Sequence, residues 1–248
     1  MNTVACYKVV PDEQDIVVKA DGSLDLSRAK PIIGEYDLMA VEEAVRIADA
    51  TGGSAVLLSA GDAKLTDSKL VKAALSRGAS ELYAVVDPAL SAADAFQTAT
   101  VLAAALEKID YDLVLCGEGS ADRYAQQVGV QLGELLGLPT VNAVSSIELD
   151  DGVAHVERTV GAVVERLDVP LPAVLSVVAD MNTPRIPSMK DILGAGKKPS
   201  RVLSFEDVGF DGFDEAIDVV STLAPEQRDR ACEILEGDDD ETIQAFAA

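Results

Sequence analysis

The chain contains no tryptophan, and aromatic residues make up only 4% of its 248 positions. A core must therefore be built from Ala, Val, Leu and Ile, which a hydrophobic content of 48% supplies. Basic residues are scarce as well: 20 Lys and Arg face 43 Asp and Glu, a formal net charge of −23. Nucleic acid is not an expected partner, because neutralising phosphates needs clustered Lys and Arg. Histidine occurs once, as His155, and no Cys or His cluster has zinc-ligand spacing. His155 reads as a solvated strand residue rather than a base. Cys6, Cys116 and Cys232 are far apart, and Cys6 and Cys116 sit in apolar runs. That pattern fits buried free thiols in a reducing cytoplasm. No apolar run approaches the ~20 residues of a membrane helix. The N-terminus runs straight into a strand-like segment instead of a signal peptide. The expectation is a cytoplasmic chain that is not itself a membrane protein.

Enzyme templates are missing too. The sequence has no GxGxxG opening a helix after its first strand, no GxxxxGK[ST] and no GxSxG. A Ser-His-Asp triad has little material with a single His. The acidic run 238–241 reads as a helix entry or a solvated segment rather than a metal site. These absences favour a binder over an enzyme. The large negative charge costs stability through self-repulsion, which leaves two readings: a halophilic protein whose high-salt cytoplasm relieves the repulsion, or an ordinary acidic protein.

What is present is an alternation. Residues 3–10 (TVACYKVV) read as a first buried strand, and Asp21-Gly22 as a turn within a hairpin over 15–28. A helix is expected from about Asp37, taken as its N-cap, with Leu38, Val41, Val45 and Ala48 on one face and a Glu42–Arg46 pair. Strands follow at 53–60, 81–86 and 112–117, separated by helices at 66–77 and at 92–108, the latter capped by Ser91. Another helix is expected over about 124–136, with Ala125, Val128, Leu132 and Leu135 on its buried face. Apolar strands alternating with helices imply a mostly parallel, Rossmann-like α/β sheet covered on both faces. Residues 153–158 and 162–169 suggest an antiparallel excursion, and 170–178 a further buried strand. From 180 the Pro and Gly spacing implies an ordered loop with one short helical turn. The domain division expected is 1–198 for the α/β domain and 199–248 for an acidic C-terminal arm, with 14 acidic against 3 basic residues. Two amphipathic patches, 225–235 and 241–247, favour laying that arm across a partner.

In such a sheet, ligands bind beyond the carboxyl ends of strands. The loop after 112–117 combines Gly117, Gly119, Ser120 and Ala121 with the polar Asp122, Gln126 and Gln127, ahead of a helix N-terminus that suits a phosphate. Composition leaves two readings open there: a nucleotide loop, or a plain strand-to-helix connection with Asp122 as a cap.

Several segments, in order, resemble the beta subunit of electron transfer flavoprotein, of the prokaryotic Fix type. They are Ala5 to Pro11 (ACYKVVP), Glu35 to Ala44 (EYDLMAVEEA), Asp112 to Gly117 with Asp122 and Gln127-Val128-Gly129, Leu171 to Ser176 (LPAVLS), and Asn182-Thr183-Pro184-Arg185 followed by Met189 to Lys198. The resemblance implies a subunit paired with a larger alpha subunit that holds most of a shared FAD. It implies electrons arriving from acyl-CoA-type dehydrogenases and leaving to a quinone reductase at the membrane. It also implies AMP, or a second FAD, in the chain's own site. By position, nucleotide contacts are implied at Cys6, Gly34, Glu35, Tyr36, Asp37, Ala60, Gly117, Glu118, Gly119, Ser120, Ala121, Asp122, Gln126, Gln127 and Val128. Partner recognition is implied at Pro184, Arg185, Met189, Lys190, Lys197 and Lys198, and proximity to the flavin or the subunit interface at Arg158. Gly34-Glu35 stands where the family usually has Asn-Pro, and Glu118-Gly119 replaces a Lys-Gln pair. A stand-alone adenine-nucleotide module of the stress-sensor kind is the alternative. An adenylyl-transferring enzyme would need SGGxDS or HxGH, and neither occurs.

Overall fold

Strands without a polar face have to be covered on both sides, and the arrangement of helices follows from that need. The computed structural model describes residues 1–213, 217, 219–226 and 234–247. It begins with β1 (Thr3–Cys6), β2 (Val9–Pro11), β3 (Val17–Val18), β4 (Leu24–Asp25), β5 (Pro31–Ile33) and α1 (Glu35–Thr51). Next come β6 (Ala55–Gly61), α2 (Ser68–Leu75), β7 (Glu81–Val86), α3 (Ala95–Leu106), β8 (Leu113–Gly117) and α4 (Val128–Leu136). The chain continues through β9 (Thr140–Asp150), β10 (Val153–Val160), β11 (Val163–Pro170), β12 (Ala173–Val177), α5 (Met189–Ala195), β13 (Ser200–Leu203) and α6 (Asp240–Ala247). It forms two compact units: Met1–Ile16 with Leu26–Asp218, and Val17–Asp25 with Val219–Ala248.

The first unit holds a nine-stranded sheet in the order β11-β10-β9-β12-β8-β1-β6-β7-β13. From β9 to β13 every neighbouring pair is parallel, while β9, β10 and β11 pair antiparallel. Side chains alternate between the two faces. Ala5, Leu57 and Leu115 meet α1 residues such as Val41 and Val45 on one face. Val4, Cys6 and Val114 meet Leu102 of α3 and Leu132 of α4 on the other. This is the mostly parallel, doubly covered sheet that the sequence implies.

Several local expectations shift. α3 starts at Ala95, not after Ser91, because Asp94 and Gln97 form a reciprocal capping box there. The excursion gains a long third strand, β9, whose apolar alternation is broken by Ala143 at φ 56° and by a bulge opposite Glu157 and Arg158. The first unit also runs past position 198. β13 pairs with β7, and Phe205, Phe210 and Phe213 follow it with ring centroids 5.0 to 5.8 Å apart. These rings pack on the α3 side of the core, so the expected arm starts as part of the fold.

In the second unit, β3 and β4 pair around Gly22, whose φ of 81° suits the tight turn. Ala224 donates to the Gly22 carbonyl at 2.8 Å. α6 is capped by Asp239, which accepts from the Thr242 N–H at 2.9 Å, so the acidic run does start a helix. Most of the 225–235 patch, positions 227–233, lies outside the described residues, as does Cys232. Among the described residues, no helix is long and apolar enough to cross a membrane, and no group of three His, Cys, Asp or Glu could hold a metal ion.

Candidate functional site

The chain leaves β1 for β6 and β7 on one side, then returns to β8 and β12 on the other. Its connections therefore part above β1 and β8, which opens a crevice at their carboxyl ends. The β2–β5 ribbon brings the start of α1 to this point, with the Gly34 N–H donating to the Lys8 carbonyl at 2.9 Å. Gly34, not Asp37, is the N-cap of α1, and it makes no side-chain cap bond. Asp37 lies in the first turn and is only 7% exposed. Its Oδ2 accepts from the Lys8 N–H at 2.7 Å, and the Gly117 N–H also donates to its carboxylate. One buried carboxylate thus joins the exits of β1 and β8 to α1. Burial raises its pKa to about 7 despite those bonds. Glycine is required opposite it: a Cβ at Gly117 would stand 2.7 Å from Asp37 Oδ1 and 2.8 Å from the Tyr36 carbonyl carbon.

The loop 117–127 closes over this staple. Both oxygens of Asp122 accept from Lys8 Nζ, at 2.8 and 2.6 Å. Partial burial opposes ionisation of Asp122, but hydrogen bonds from Lys8 and Ser120 outweigh it and hold the carboxyl below the usual range. Glu118 is tied to β12 through its N–H, which donates to the Val177 carbonyl at 2.9 Å. Tyr124 and Gln126 have φ of 42° and 56°, which interrupts helical propagation, so α4 starts at Val128 and not near 124. Ala125 and Leu135, expected on the buried face, are exposed, whereas Leu132 is fully buried. Gln127 caps α4 without a side-chain bond, so the first-turn amides face the loop as open donors. Gln126 and Gln127 are exposed beside them, as is Ala121, while Ser120 is half-buried and Gly119 is covered by the Tyr124 ring.

Beneath the crevice, Cys6 and Cys116 are free and buried. The hydrogen bond between their thiols, with burial, pushes the Cys6 thiol up. Ala60 is half-buried near the end of β6, and the neighbouring Ser59 hydroxyl donates to the Tyr7 carbonyl at 2.6 Å. No nucleophile–base pair occurs among these residues. One lysine, open amides and small residues make an arrangement suited to holding a ligand.

Two cavities lie elsewhere. One, of about 270 Å³, is lined by Leu65, Val71, Lys72, Lys198 and Val202 among others. The other, of about 340 Å³, lies on the hairpin strands around His155, Arg166 and Asp168. His155 Nδ1 is 2.6 Å from Asp168 Oδ1 on an exposed strand face, a solvated pair.

The segment 182–198 forms a second feature. Asn182 Nδ2 donates to the Met39 carbonyl at 3.0 Å, and Arg185 donates to Glu42 Oε2 through its N–H and Nε, both at 2.9 Å. Arg46 Nε donates to Glu42 at 2.8 Å, as the i,i+4 spacing implies. Beyond this clamp Ile186 is 94% exposed, and Met189, Leu193, Lys190 and Lys197 are exposed as well. Pro184 is half-buried. Lys198 turns inward, donating to the Leu75 and Ala79 carbonyls at 2.9 and 2.6 Å. Arg158 is held by Glu165 at 2.7 Å and Asn142 at 3.0 Å.

A family model of the electron transfer flavoprotein domain matches residues 22–208. The chain belongs to that family. The matched span includes the α1 start, the 117–127 loop and the exposed α5 segment. Lys8 lines the crevice without having been singled out as a contact by sequence, whereas Tyr124 falls within the implied stretch Gly117 to Val128. Lys8 meets Asp122 across 114 positions, a pairing only the sheet creates.

Proposed function

We propose that the chain is the smaller, beta-type subunit of a heterodimeric electron transfer flavoprotein of the prokaryotic Fix type. It pairs with an alpha subunit that holds most of a shared FAD. The pair takes electrons from acyl-CoA-type dehydrogenases and passes them to a quinone reductase at the membrane, working in the cytoplasm. The flavin supplies the electron chemistry, and this chain binds, orients and docks.

The observation that carries this reading is the 117–127 loop. It brings an uncapped helix terminus to the sheet's switch point inside an electron transfer flavoprotein domain. The residues there fit AMP or a second FAD. The α4 amides suit a phosphate, and the small Ser120 and Ala121 permit close backbone approach. Gln126 and Gln127 offer polar contacts, and Lys8 offsets the charge of Asp122. The exposed Ile186, Met189 and Leu193, held by the Glu42–Arg185 clamp, support partner docking. Acid release and chromatography of the nucleotide carried by the purified protein test the site. AMP or FAD in stoichiometric amount is expected; a nucleotide-free protein that takes up neither contradicts the reading.

A further inference from the structure

Tyr124 occupies a backbone position that large side chains avoid. Its φ of 42° lies in the left-handed region, where glycine is at ease and a bulky residue is strained. The surroundings hold it there. Its N–H donates to the Ser120 carbonyl at 2.8 Å, and its hydroxyl bonds to Glu118. The Cδ2–Cε2 edge of the ring lies against Gly119, where a Cβ would come within 2.6 Å of Tyr124 Cδ2. Beside it stands Tyr36, with ring centroids 5.2 Å apart and planes tilted by 49°. Neither ring belongs to a core cluster, and Tyr124 remains 44% exposed. A strained backbone, a glycine that gives it room and a second ring beside it thus fix an exposed aromatic surface at the mouth of the crevice.

The charges around it sharpen its use. Lys8 is paired with Asp122, and Arg123 Nη1 donates to the Ala93 carbonyl at 3.1 Å. Glu118 and Asp122 oppose an anionic ligand, so much of the affinity has to come from a ligand's uncharged part. We propose that the Tyr36–Tyr124 pair is a stacking platform for the planar base of the nucleotide in this crevice. Tyr124 presents its exposed ring surface to the base, and Tyr36 braces it from the side. This rests on the nucleotide reading above. Because every base has a π-face, such a platform accepts adenine and flavin rings alike, and its fixed geometry lowers the cost of ordering it on binding.

The test uses the full 248-residue chain freed of nucleotide and titrated with AMP and with FAD by calorimetry. Tyr124→Gly removes the ring and also the strain. It is expected to keep or raise the melting temperature while weakening the bound nucleotide about ten-fold. Tyr124→Phe restores a ring and is expected to rescue affinity. The chain lacks Trp, so tyrosine emission reports directly: the base quenches it in the wild type and much less in Tyr124→Phe. Equal affinity of Tyr124→Gly and the wild type overturns the platform and leaves the nucleotide reading intact. Failure of the wild type to bind either nucleotide overturns both.

Discussion

Asp37 carries the chemistry of the crevice in a single carboxyl. With its pKa at about 7 in the folded protein, it keeps a proton over a pH range where the unfolded chain has lost it. Its contribution to stability is therefore complete below the unfolded value near ~3.9 and is lost as pH rises through the folded value. Between about pH 5 and pH 8 the loss is roughly 2–3 kcal/mol. Asp37→Asn does not ionise, so this part of the pH dependence disappears in the variant. Denaturation midpoints at both pH values check it: the wild type should fall relative to Asp37→Asn, and parallel behaviour contradicts the assignment. Gly117 faces the same carboxyl. Gly117→Ala would place a methyl 2.7 Å from Asp37 Oδ1. It is expected to cost about 1–3 kcal/mol by overpacking and to release nucleotide, read as a lower melting temperature and lower nucleotide content.

At the scale of elements, Glu42 is the buried acid that anchors the segment leading to α5. Glu42 is 5% exposed and accepts from Arg185 and Arg46. Burial opposes its ionisation, but the Arg185 bonds prevail and hold it below the usual range. Because both arginines still reach water, Glu42→Gln is expected to cost about 1–3 kcal/mol, less than breaking a fully buried pair. Hydrogen exchange should accelerate over residues 182–188 while β1 and β8 stay protected; unchanged exchange there contradicts the clamp. Elements of this kind also show what a sequence reveals. Strands such as 53–60 and 112–117 can be read directly, because their runs have no polar face to expose. The loop 117–127 is only half readable. Its small residues mark it, but the Tyr-Ala-Gln-Gln stretch is compatible with a helix by composition, and left-handed φ at Tyr124 and Gln126 depends on tertiary contacts. Asp37 resembles an N-cap until Lys8 and Gly117, far away in sequence, supply its donors. The Phe205, Phe210 and Phe213 cluster becomes core only once β13 has paired with β7.

At the scale of the molecule, a net charge of −23 dominates the response to ions. The Debye length contracts from ~10 Å at ~0.1 M salt to ~3 Å at ~1 M, and self-repulsion fades with it. The melting temperature should rise over that range of KCl; a flat or falling midpoint contradicts the high-salt reading. Exposed Ile186, Met189 and Leu193 in the first unit, and Val220, Ile234 and Phe246 in the second, are apolar surface expected to be covered by the alpha subunit. The central claim is that this chain is the small half of an electron carrier, and co-expression with an alpha-type subunit tests it most directly. The account predicts an equimolar complex with a flavin absorption spectrum that bleaches on reduction, accompanied by AMP or a second FAD from this chain. A chain that purifies alone, with no flavin gained from the partner, would contradict it.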